Sequence, residues 1–168
     1  MSSEEWKAGW AVIDHLKFQS LGDDERNRLL IFMASHSLSN LADYEIPKRV
    51  ADDSVLACVR YMEDKSVDAR SISIHLNHTD PDLDLSAQYS FVGADRSAYD
   101  TLDLVCFTTG SVARTAYLDQ GLSNAPEPVI LATPNVTVEA LDKFKNMLQM
   151  GLVSADSTLQ LGVSQRRI

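Results

Sequence analysis

The sequence predicts an all-α fold, a compact bundle of about six helices in a single domain over residues 1–150, with a weakly patterned tail over residues 151–168. Three observations predict it. Apolar residues recur at helical intervals through most of the chain. Cap and stop residues stand between those periodic runs. The chain has 168 residues, 45% hydrophobic and 23% charged, which suits one globular domain able to bury a core without disulfides or metals.

Each element has its own signal. Ser2-Ser3-Glu4-Glu5 has capping-box spacing, and Trp6, Trp10, Ile13 and Leu16 repeat behind it as a first helix. Leu21-Gly22 breaks that helix. Asp23, Asp24 and Glu25 suit the positive end of a second helix dipole, and Leu29, Leu30, Met33, Leu38 and Leu41 carry its apolar face to about Ala42. Pro47 marks a boundary before a third helix built on Val55, Leu56, Val59 and Met62. Residues 67–79 fit two patterns. Ile72, Ile74 and Leu76 alternate with Ser71, Ser73 and His75 as in a strand, whereas Asp68-Ala69-Arg70 reads as a helix start. The helix is preferred, because a strand needs partners. The alternative is an α+β fold with a small sheet drawn from residues 70–77, 88–93 and 128–133.

Asp95 is placed to cap the longest predicted helix, about 96–119. Ala98, Leu102, Val105, Cys106, Val112, Ala113, Ala116 and Tyr117 line one face of it, and Gly121 stops it. Pro126-Glu127-Pro128 reads as an extended linker, since the residue before a proline is pushed out of helical geometry. Asn135 then caps a last helix near 136–149, with Val138, Leu141, Phe144, Lys145 and Leu148 inward.

Charge is distributed unevenly. The net charge is −9, and the 24 residues from Asp80 to Asp103 hold six acids and one base, more than half of the excess. Such a chain repels nucleic acid and anionic lipid and attracts a basic partner. The opening MSSEEWKAGW carries acids where a signal peptide needs a basic and then an apolar stretch. No apolar run approaches the roughly 18 residues of a membrane span. Cys58 and Cys106 sit among apolar residues, as free thiols do in a reducing compartment. The expected location is the cytoplasm, with no nucleic-acid or membrane partner.

The densest chemistry lies in His75-Leu-Asn-His78-Thr-Asp80-Pro-Asp82-Leu-Asp84. Asp80, Asp82 and Asp84 match positions one, three and five of a calcium loop. The match then fails, with Leu85 where glycine is needed and Phe91 where a bidentate glutamate is needed. His75 and His78 share a face if the segment is helical, but zinc needs further ligands. No nucleophile elbow, phosphate-cradling glycine loop or exposed reactive thiol is present. No cofactor, metal or catalytic residue is assigned. A small helical metal-dependent hydrolase using Asp100, Asp103, His75 and His78 is the alternative to a binding protein.

The long helix suggests a contact surface. With Leu102 at the centre of its inner face, Asp103 falls at about 100°, Phe107 at about 140°, Asp100 at about 160° and Leu104 at about 200°. Apolar anchors beside carboxylates suit a protein–protein hot spot. The competing reading is a central helix packed on two sides. The partner-binding set expected from sequence is therefore Asp80, Asp82, Asp84, Asp100, Asp103, Leu104 and Phe107.

The C-terminal half carries a resemblance. Ala113-Arg114-Thr115-Ala116-Tyr117 ends a long helix, Gly121 follows, then Pro126-Glu127-Pro128-Val129 and a final helix. Over residues 95–149 this resembles a helical family of immunity proteins from bacterial polymorphic-toxin and contact-dependent growth inhibition systems. The resemblance implies a stoichiometric antidote that binds a cognate protein toxin, often a nuclease with a basic surface. It brings no toxin-contact position with it.

Overall fold

The computed structural model describes residues 13–132 and 137–153, and every described element is helical. The helices are α1 (His15–Ser20), α2 (Asp23–Ser37), α3 (Glu45–Glu63), α4 (Arg70–Ser73), α5 (Tyr89–Val92), α6 (Arg96–Asp119), α7 (Glu127–Leu131) and α8 (Val138–Val153). Short 3₁₀ turns extend or link them at Leu38–Leu41, Ile74–Leu76, Pro81–Leu83 and Leu85–Gln88. The α+β alternative is set aside: residues 70–77, 88–93 and 128–132 contain helical turns, and no strand occurs among the described residues. Ser2, Glu5, Trp6, Trp10, Asn135 and the tail beyond Val153 lie outside the described residues.

Local chemistry sets the boundaries. The Asp14 carboxylate accepts the Lys17 amide at 2.8 Å and starts α1. The Asp95 carboxylate accepts the Ala98 amide at 3.1 Å and starts α6 one residue later. Gly121, at φ +64°, ends α6: its amide reaches the Leu118 carbonyl at 3.2 Å, and the Leu122 amide reaches the Tyr117 carbonyl at 2.9 Å. This is the Schellman pattern, in which a left-handed residue lets the chain turn back on the last carbonyls. Thr137 supplies a hydroxyl to the Ala140 amide at 3.1 Å at the head of α8.

Three boundaries differ from expectation: Ile13 lies outside α1, which starts only after Asp14; Pro47 falls inside the first turn of α3; and the proline segment 126–128 is not a linker. Pro126 is extended, but Glu127–Leu131 is helical with Pro128 inside its first turn. A proline there surrenders no hydrogen bond, because the first amides of a helix have no intrahelical acceptor. The proline pair starts a helix instead of preventing one.

Two helices occupy the centre. In α2 every residue from Leu29 to Ser37 is buried, so the helix is covered all round. In α6, rows of side chains meet different neighbours. Thr101, Thr108, Ser111 and Thr115 face α2, bonding the Ser37 carbonyl, the Leu30 carbonyl and the Asn27 side chain. Thr109 bonds Ser54 of α3 at 2.6 Å, and Tyr117 bonds Ser73 of α4 at 3.0 Å. The remaining row, from Asp103 through Phe107 to Gly110, faces α7 and α8. Gly110 permits the close approach of α7, since a Cβ at that position would lie 3.1 Å from the Ala132 Cβ. No helix among the described residues is long and apolar enough to cross a membrane.

Candidate functional site

The acidic turn is built by two anchors, two carboxylates and an imidazole. Leu76 and Leu85 are buried at either end of residues 77–84. Between them the chain is exposed and must satisfy its amides locally. His78 Nδ1 accepts the Asp80 amide at 2.9 Å, the Asp80 carboxylate accepts the Asp82 amide at 2.9 Å, and the Asp84 carboxylate accepts both the amide and hydroxyl of Ser86 at 2.9 Å. From beneath, the buried Gln88 amide donates to the Pro81 and Asp84 carbonyls at 2.8 Å each. Aspartates fit here because a short carboxylate reaches the amide two residues on. The consequence is a pinned turn that retains its charge. Among the described residues, Asp53, Asp80, Asp82 and Asp84 enter no ion pair. Arg49 approaches the turn, but its guanidinium donates to the Asp82 carbonyl at 3.1 Å.

Two shallow depressions adjoin this turn. One of about 140 Å³ lies between Val50, Asp53, Ile74, His75, His78 and Leu83. A second, of about 270 Å³, runs on past Leu56 and Arg60 to Ser71, and shares Asp53 and His75 with the first. Ile74 and Leu83 stand 44% and 39% exposed on the wall of the first depression. Burial holds the His75 imidazole below the ordinary histidine value, with nearby Asp53 opposing the shift and His78 adding to it.

On the other side of residues 74–89 lies a larger groove of about 560 Å³ between α6, α7 and α8. Leu76 and Ser86 of the turn region form one wall. Phe107 and Phe144 meet across it with ring centroids 5.9 Å apart. At one end the Asp103 carboxylate accepts the Tyr89 hydroxyl at 2.8 Å and the Lys143 ammonium at 2.7 Å. The same ammonium lies 3.2 Å from Asp100, which Arg96 also approaches at 3.2 Å. Burial alone would lower the Lys143 pKa, but its hydrogen bond to Asp103, with the nearby Asp100, raises it above the usual lysine value. Burial pushes the Cys106 thiol up to about 12, so the groove holds no nucleophilic thiolate at neutral pH. Cys58, fully buried, is likewise pushed up to about 12.

The predicted contact residues thus separate. Asp80, Asp82 and Asp84 sit together on the turn. Asp103 and Phe107 line the groove, and Asp100 borders it through Lys143. Leu104 is a correction: it is fully buried in the row of α6 that faces α2 and cannot meet a partner. Its neighbours on that row are threonines and a serine, which look like a solvated face in sequence. Their hydroxyls instead bond main-chain carbonyls or Asn27, so the row can be buried at no unpaired polar cost. Ile74, Leu83, Asp53 and Lys143 belong to these surfaces and were not singled out from sequence. The ligands needed by a metal-dependent hydrolase do not converge. Asp100 and Asp103 face Lys143, His75 and His78 face the small depression, and no group of three or more potential ligands is gathered among the described residues.

Neither known protein families, nor curated proteins, nor solved structures show a significant match to this chain.

Proposed function

We propose that this protein is an immunity-type inhibitor that binds a basic toxin domain in one-to-one stoichiometry, using the acidic turn of residues 80–84 and the depressions beside it. One observation carries the reading. Two of the three carboxylates, Asp80 and Asp84, are held by backbone amides with Asp82 exposed between them, and none of the three enters an ion pair among the described residues, next to exposed Ile74 and Leu83. A carboxylate satisfied by amide dipoles keeps its full charge toward the solvent and steers a basic partner. The adjoining apolar side chains supply area for desolvation at the centre of a contact. The partner's activity is blocked by occlusion, and the inhibitor itself performs no chemistry. The expected partner is a secreted toxin domain encoded beside this protein, a nuclease being the class whose basic surface complements the turn.

Co-expression with a toxin domain encoded by the neighbouring gene, which the proposal requires, tests this. The expected result is rescued growth and a one-to-one complex on size-exclusion chromatography. Replacing Asp80→Asn and Asp82→Asn keeps the local turn chemistry while removing two charges. That chain should associate more slowly, with a flatter dependence on salt. Neither protection nor complex formation with the adjacent toxin domain would sink the proposal, and an unaltered salt slope would move the interface away from the turn.

A further inference from the structure

We infer that the groove between α6, α7 and α8 seats a basic amphipathic segment of the partner, which packs an apolar side chain against Phe107 and Phe144 and sets a cation on the Asp100–Asp103 pair. This rests on the reading of the protein as an inhibitor of a basic partner, and adds a second contact whose chemistry differs from that of the turn. The volume, about 560 Å³, falls within the roughly 300–1,000 Å³ of ligand-holding clefts. Leu131, on the groove wall, is 67% exposed, and Ile130 and Val138, close in sequence to lining residues, are 62% and 51% exposed, Val138 against the inward position expected from sequence. An open apolar groove of this kind suits the mode in which an amphipathic helix lays its apolar face into a cleft.

Charge selects the occupant. Asp100 and Asp103 lie at one end, and Glu127, Glu139 and Asp142 stand exposed beside lining residues, against the cations Lys143 and Arg96. An acidic segment is repelled, and a second copy of this chain would bring like-charged faces together. Lys143 already shows what the carboxylate pair accepts. Its ammonium reaches both carboxylates from α8, 29% exposed at the open end, where an incoming guanidinium would compete with it. Lys143 is thus the resident stand-in for the partner's cation.

The test uses the full chain, labelled for amide NMR, and two synthetic helical peptides of about 15 residues. One carries a leucine face flanked by arginines, and the other has glutamate in place of every arginine. The arginine peptide should shift the amides of Cys106, Gly110, Ala132 and Ala140, and the glutamate peptide should not. Ala140→Phe fills the groove while keeping Arg96, Asp100, Asp103 and Lys143, and should weaken binding at least about tenfold. Lys143→Met removes the competitor and should tighten binding about tenfold, as expected for one charge-assisted hydrogen bond. Equal binding of both peptides, or native-like binding by the Ala140→Phe chain, overturns the inference. So does concentration-dependent self-association that shifts the same amides, which would assign the groove to a second copy. A response seen only when Arg166→Ser and Arg167→Ser are introduced would assign it to the chain's own end and overturn the inference too. If the Lys143→Met chain does not fold, the other comparisons decide. Toxin protection without a groove response removes this inference alone, whereas a groove response without protection removes the inhibitor reading and leaves the groove.

Discussion

Asp103 and Asp82 lie on opposite sides of the same acidic stretch and meet different fates. In the groove, Asp103 is met by an ammonium from α8 and a phenol from α5, and with Asp100 it forms a partly buried ion cluster. On the turn, Asp80 and Asp84 are met by amides of their own turn, and Asp82 is left exposed. Both arrangements satisfy the carboxylates. Only the second leaves the carboxylates without an ion-pair partner, since amide dipoles carry no net charge and Arg49 bonds the Asp82 carbonyl instead of a carboxylate. The concentration of acid in residues 80–103 therefore overstates the charge that these residues bring to the groove, where Arg96 and Lys143 offset Asp100 and Asp103. The groove side has apolar area and a competed charge. The turn side has free charge and little apolar area.

The largest effect tests what lies between these regions. Leu104→Ala opens a cavity in a fully buried site where α6 meets α2, and should lower stability by about 3 kcal/mol in denaturant unfolding. Partner affinity measured well below the unfolding midpoint should be unchanged. If affinity falls and stability holds, Leu104 is a contact residue and the packing of α6 on α2 is wrong.

Next comes the groove. Lys143→Met leaves Asp100 and Asp103 close together, with Asp100 only 14% exposed in its side chain. Breaking one partner of a partly buried pair should cost about 1–2 kcal/mol, less than the 3–5 kcal/mol of a fully buried one. An unchanged unfolding midpoint at pH 7 would mean that the cluster contributes nothing and that the two regions do not differ as described.

The turn responds more weakly and separates geometry from charge. Asp84→Ala removes an acceptor from the Ser86 amide and hydroxyl and should cost about 1 kcal/mol. Asp84→Asn retains an acceptor and should cost a few tenths of that. Equal losses for the two chains would show that charge, not the local hydrogen bond, holds the turn.

These differences also explain which features could be read from sequence. The long helix α6 was legible to the residue, because its cap Asp95, its apolar repeat and its stop at Gly121 are all local. Residues 70–76 fit helix and strand alike in sequence, and a strand there had two possible partners, residues 89–92 and 129–132; both of those runs hold helix, so no sheet forms. The interior of α2 was only half legible: its all-round burial shows in Ile31, Phe32 and Ala34 beside the expected face. Leu104 was misplaced because buried threonines and exposed threonines look alike until their hydroxyls find carbonyls. The acidic turn announced itself as a cluster of charge, but its exposed neighbours Ile74 and Leu83 did not, since an isolated apolar residue reads as core. The groove was legible only as its α6 wall, Asp103 and Phe107 with Asp100 beside them; the opposite wall was not, because Lys143 meets Asp103 across 40 residues of sequence and nothing local signals that pairing.

The smallest predicted effect concerns pH and again splits the two sides. His75 lies against Asp53 at the turn, and burial, the largest influence, depresses its pKa below the ordinary value. The folded chain thus holds His75 neutral where the unfolded chain would already bind a proton. Stability from this site is fully present above the unfolded histidine value of about 6.5, and is lost as pH falls through the lower folded value. The groove behaves differently over the same interval, since the raised Lys143 pKa keeps its ammonium charged throughout. Stability measured from pH 7.5 downward should therefore begin a slight decline below about 6.5, and His75→Gln should remove that part of the slope while Lys143→Met leaves it in place. Parallel pH profiles for the native and His75→Gln chains would show that His75 is solvated in the folded state and that the depression beside the turn is open to water.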